Sequence, residues 1–127
     1  MRLGIFSAAI VLGCVTAAQS ADLLASGPLF GSADQTTAVC YFYNTGDTTL
    51  QFTNKRILEP NSFVVPLTGN TCPSTGLIGR HVCSITATNH GLPISCKATV
   101  SPSKADARGI LEVLDGMGTV LQTTGLR

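Results

Sequence analysis

HVCSITATNHGLPISCKATV, residues 81–100, decides the fold of this chain. Two cysteines, Cys83 and Cys96, flank a turn-like TNHG, with His81 at the start of the stretch and His90 in the turn. If Thr88–Gly91 form a loop, Ala87 faces Leu92, Ile85 faces Ile94 and Cys83 faces Cys96. Those positions are apolar or sulfur, whereas the interleaved Ser84, Thr86, Ser95, Lys97 and Thr99 are polar. A period of two separates a buried face from a wet one and predicts a β-hairpin.

The same grammar runs outward in both directions. TTAVCYFYN, Thr36–Asn44, is rich in β-branched and aromatic residues and reads as a strand ending in the turn NTGD. TLQFTNKRIL, Thr49–Leu58, reads as the next strand. Leu50 and Phe52 share one face there, but Ile57 falls on the other, which predicts a bulge or bend near Asn54. FVVPL is a short strand whose Pro66 cannot donate to a ladder, so an edge position is expected. Thr68–Arg80 reads as a long loop.

The segment 102–115 supports two readings. Ser101 as N-cap, Pro102 at N1, then Ala107, Ile110, Leu111 and Leu114 suit an amphipathic helix. Gly109 in its interior, β-branched Val113 and the DGMG turn before TVLQTT suit a strand and hairpin. As a strand, Ile110–Leu114 is apolar on both faces and belongs in a central position or under a partner. The expected fold is all-β: an antiparallel, immunoglobulin-like Greek-key sandwich of about seven or eight strands. Antibody hallmarks are missing, since the chain has no tryptophan and Ile94, not tyrosine, stands two residues before Cys96.

The first residues read as an export signal. Arg2 precedes an uncharged apolar run from Leu3 to about Val15, followed by small residues. That run is too short for a transmembrane helix, which needs ~20 residues. Residues 1–21 are therefore expected to be removed, with cleavage after Ala18, Ser20 or Ala21, leaving one domain over 22–127 with no transmembrane anchor. VLGC, Val11–Cys14, offers a second reading in which Cys14 is lipidated. Export implies a secreted or periplasmic protein, where thiols oxidise.

With Cys14 set aside, Cys40, Cys72, Cys83 and Cys96 remain, an even number that reads as two disulfides with three possible pairings. A Cys83–Cys96 bond would join facing neighbours, whose Cβ atoms sit ~4.5–5.5 Å apart where a disulfide prefers ~3.8 Å. Cys40–Cys96 with Cys72–Cys83 is the alternative, because Cys40 shares parity with Phe42, and Cys96 with Ile94 and Ala98. AVCYFYNTGDTTLQF, SCKATVS and SKADARGILEVLDGMG together resemble small exported bacterial proteins of unassigned function. The resemblance implies a β-sandwich with Cys40–Cys96 as its core bond, and it carries no activity.

Chemistry is sparse. Beyond Arg2, seven basic residues face seven acidic ones with no block of like charge, which argues against nucleic acid as a partner. No C-x-x-C spacing suggests zinc, and no histidine follows Cys96 to complete a copper cluster, so no metal or cofactor is expected. No G-x-S-x-G surrounds a serine, and paired thiols leave no cysteine nucleophile, so no catalytic residue is assigned and no enzyme is expected. Tyr41 and Tyr43, opposite in parity to Cys40 and Phe42, form a candidate contact surface for a protein or glycan. The expected function is an exported, non-catalytic binding or surface module. The alternative is an inhibitor of a secreted hydrolase that presents the 68–80 loop, with Arg80 entering an acidic pocket.

Overall fold

A computed structural model describes residues 21–127. The expected signal segment, apart from its last residue, and Cys14 lie outside the described residues. Among the described residues nine strands occur in chain order: β1 (Asp22–Ala25), β2 (Gln35–Asn44), β3 (Gln51–Glu59), β4 (Phe63–Val65), β5 (Leu67–Asn70), β6 (Val82–Thr88), β7 (Ser95–Ser101), β8 (Ala107–Asp115) and β9 (Val120–Leu126). One sheet has the order β1-β7-β3-β4 and the other β5-β6-β2-β8-β9, with every pairing antiparallel. Among the described residues no helix is long and apolar enough to cross a membrane.

Alternation puts the expected residues inside. Ala38, Cys40 and Phe42 of β2, Ile85 and Ala87 of β6, Cys96, Ala98 and Val100 of β7, and Leu111 and Val113 of β8 are all buried between the sheets. The Phe42 and Phe52 rings meet across this interior with centroids 5.3 Å apart. β3 changes register between Thr53 and Arg56, with Asn54 at φ 47°. That bulge returns Ile57 to the side of Phe52, and both are buried, as the parity break required.

Pro66 sits where the chain leaves β4, an edge of the smaller sheet, for β5, an edge of the larger one. β5 takes up the first residues of the expected 68–80 loop, so the loop is shorter than the sequence suggests. The segment 102–115 is a strand from Ala107 onward, central between β2 and β9. The helical reading fails because Ala107, Gly109, Leu111 and Val113 form a period-two buried face. Gly109 faces inward there, and a Cβ on it would lie 2.9 Å from the Leu126 side chain.

The expected β6–β7 hairpin does not form. β6 pairs with β2 and β5, while β7 pairs with β1 and β3 in the opposite sheet. Each strand keeps the alternation read from the sequence, but they turn their apolar faces toward each other across the core. Buried polar groups hold the crossover between them. Asn89 donates its backbone N–H to Thr36 O at 2.7 Å, and its side chain spans to Leu92. Gln35, only 1 % exposed, donates to Leu92 O at 2.6 Å and accepts from Gly31 N at 2.7 Å. A buried amide at an arch needs partners for its oxygen and its nitrogen, and each of these four atoms has at least one.

Two disulfides close the structure. Cys40–Cys96 joins β2 to β7 across the sheets, with Cα atoms 6.3 Å apart and 56 residues of sequence separation. Cys72–Cys83 ties the segment after β5 to β6 over a separation of 11 residues. Loop-entropy arguments assign about 4 kcal/mol to the first and about 3 kcal/mol to the second. At one corner Ala25 and Arg127 exchange backbone hydrogen bonds of 2.9 and 2.8 Å, stitching β1 to the end of β9.

Candidate functional site

Because Cys40 and Phe42 point into the core, Val39, Tyr41 and Tyr43 point out from the middle of the five-stranded sheet. Register supplies their neighbours. Tyr43 lies between Val82 and Arg108, Tyr41 between Ser84 and Ile110, and Val39 between Thr86 and Glu112. The tyrosine rings are 6.5 Å apart, tilted by 37°. Val82 at one end of this face is 51 % exposed, so the apolar surface is open to a partner. Desolvation, then the Glu112 carboxylate and Tyr43, push the Tyr41 hydroxyl pKa up. The phenol therefore stays protonated and able to donate near neutral pH.

The tyrosines run into a depression of about 420 Å³ lined by Tyr43, Asn44, Thr45, Arg80, His81 and Val82. The fold thus unites two features that are separate in sequence, the tyrosine pair and Arg80. Asn44 does the joining. Its backbone N–H donates to His81 O at 3.0 Å, and its carbonyl accepts from Arg80 N at 2.9 Å. Its side chain, buried, donates to Thr48 O at 2.7 Å and Leu77 O at 2.9 Å and accepts from Gly46 N at 3.1 Å. The turn 44–48 and the approach to β6 are therefore one unit.

Arg80 has φ 65°, and its backbone N–H also reaches Gly46 O. Its side chain pairs with Asp47 at 3.0 Å, with both groups mostly exposed. The hydrogen bond that Arg80 Nε donates to that carboxylate, and then the carboxylate's charge, raise the guanidinium pKa. His81 Nδ1 lies 2.7 Å from Gly79 O, which fixes the ring at the rim. The Cys72–Cys83 bond and the hydrogen bonds between Thr71 and Ser84 brace the preceding loop.

The histidines do not converge: His81 precedes β6 and His90 follows it. Among the described residues no group of three or more His, Cys, Asp or Glu side chains could hold a metal ion. Cys40, Cys72, Cys83 and Cys96 are all paired, so none presents a thiolate nucleophile.

Sequence reasoning missed the parts of the face contributed by β8. In the sequence Ile110 reads only as part of a strand apolar on both faces and Glu112 carries no role, because their place beside Tyr41 and Val39 depends on register. Asn44 and His81 carried no signal of a shared role, because they meet only through backbone hydrogen bonds. Comparison with protein-family models, with curated proteins and with solved structures finds no match to this chain.

Proposed function

We propose that the protein is an exported, non-catalytic binding module that docks a protein or a glycan on the outer face of its five-stranded sheet. The observation that carries this reading is the uncovered surface from Tyr41 and Tyr43 to the Arg80–His81 depression. Tyrosines offer large, stiff contact area at low entropic cost, and hydrogen-bonding groups stand at the rim. The Arg2-led apolar N-terminus and two disulfides support passage into an oxidising compartment, secreted or periplasmic.

The immunoglobulin-like reading also stands as a proposal. Its support is topological: β1-β7-β3 and β2-β8-β9 match the B-E-D and C-F-G neighbourhoods of that fold, with β4–β6 inserted. On this mapping the inter-sheet disulfide joins C to E rather than B to F. The resemblance to small exported bacterial β-sandwich proteins points the same way.

The inhibitor alternative draws little support from the geometry of Arg80. A substrate-like inhibitor presents an extended backbone with a free side chain, whereas Arg80 has φ 65° and an occupied guanidinium. The test is a glycan array and an envelope-protein pull-down with the parent chain and with Tyr41→Ser/Tyr43→Ser. The reading expects a ligand for the parent whose binding drops at least tenfold in the folded variant. A ligand held equally by both would overturn it, as would stoichiometric inhibition of a trypsin-like enzyme lost in Arg80→Ala.

A further inference from the structure

The geometry points to a second ligand site, on the opposite sheet, that takes a tetrahedral oxyanion: sulfate or phosphate, free or as an ester on a larger molecule. It lies on the outer face of β3 and β7. There Arg56 and Lys97 are direct cross-strand partners. Like charges placed opposite each other in a ladder repel and destabilise the pairing. The ion pair found among the described residues, Arg80–Asp47, belongs to the other sheet, and no carboxylate lies within ion-pair distance of Arg56 or Lys97. Residues 1–20 contain no Asp or Glu.

The two cations line a depression of about 250 Å³ together with Leu23, Asn54 and Thr99. The β3 bulge explains how Asn54 gets there: the register shift and the φ of 47° re-aim the chain beside Arg56. Lys55, the other bulge residue, turns its ammonium to Phe52 O at 2.7 Å and is not part of the set. Lys104, its Nζ lying 3.3 Å from Leu23 O, brings a third cation to the edge of the site, and the Asp22 carboxylate, which accepts from Lys104 N at 2.8 Å, brings one negative charge to the same corner. A guanidinium fork, an ammonium, a carboxamide and a hydroxyl can all donate to an oxyanion. A tetrahedral oxyanion offers several acceptor oxygens to a mixed set of donors lining one hollow. The depression is open to solvent, has room for a single anionic group and lacks the extended stripe of cations that a nucleic-acid backbone requires.

The test is an amide-resolved NMR titration of the intact domain with sodium sulfate against sodium chloride at matched ionic strength. The site predicts saturable shifts at residues 54–56, 97–99 and 23 with sulfate, absent with chloride. Arg56→Gln and Lys97→Gln should each weaken sulfate at least tenfold. Lys97→Glu should abolish it while raising the thermal midpoint, because it replaces a repulsive pair by an attractive one. Equal shifts with chloride, shifts elsewhere, or variants that bind as the parent does would overturn the proposal. A sulfated oligosaccharide and its unsulfated parent then separate the sources. Tighter binding of the sulfated sugar than of inorganic sulfate, through the same residues, assigns an ester group, whereas equal or weaker binding assigns the free ion.

Discussion

Replacing Asn44 by alanine tests how the tyrosine face is coupled to the Arg80 loop. The Asn44 side chain is 2 % exposed and makes three hydrogen bonds, to Thr48 O, Leu77 O and Gly46 N. Each such bond contributes about 1 kcal/mol net, and leaving a buried group unpaired costs more. Leu77 O keeps a second donor in Leu50 N, at 3.0 Å, so its loss is softened. The expected penalty is therefore about 2–3 kcal/mol, or roughly 10–20 °C in thermal midpoint for a domain of this size. Urea unfolding followed by circular dichroism, with the disulfides intact, measures it. Asn44→Asp sharpens the test, since its carboxylate would face two carbonyl oxygens in place of a donor. That variant should lose at least as much stability at neutral pH and recover some as the pH falls and the carboxyl protonates. A loss below about 0.5 kcal/mol for the alanine variant, or a parent-like aspartate variant, would refute the coupling described for this residue.

The remaining predictions concern the cross-links and one turn. Replacing Cys40 and Cys96 together by alanine should cost about 4 kcal/mol, measured by denaturant unfolding; a loss under about 1 kcal/mol would contradict the inter-sheet role of that bond. Backbone N–H groups of Thr119 and Met117 donate to Asp115, each at 2.9 Å, and with these bonds, Thr119's first, its carboxyl pKa is lowered. A carboxyl lowered by folding stabilises the native state above its unfolded pKa, and this contribution is lost as pH falls through the folded value. The thermal midpoint of Asp115→Asn should therefore lie below the parent's at neutral pH and converge on it in acid; a pH-independent gap would contradict the assignment.

What the sequence makes legible is which way each side chain points. The period-two pattern of VCSITAT and SCKATVS placed Cys83, Ile85, Ala87, Cys96 and Ala98 inside, and the parity break at Phe52 and Ile57 announced the bulge. Alternation does not say which strands pair, because a face that packs across a core has the same pattern as one that packs along a ladder. That is why a hairpin and a crossover were indistinguishable for residues 81–100. Asn89 and Gln35 carried the distinguishing information, but a buried carboxamide in a turn looks like an ordinary polar loop residue until its partners are placed. The sites follow the same rule. Tyr41 and Tyr43 were readable from parity alone, whereas their meeting with Arg80 required Tyr43 to sit opposite Val82. Arg56 and Lys97 are ordinary scattered charges until β3 and β7 are zipped in register.

Two sheets riveted through Cys40 and Cys96, with β6 and β7 on opposite layers, underlie every argument above. Non-reducing proteolysis of the native protein, with mass spectrometry of the linked peptides, tests this most directly. The expected products join a peptide containing Cys40 to one containing Cys96, and one containing Cys72 to one containing Cys83. A Cys83–Cys96 peptide would take both rivets away from the positions described and contradict the account.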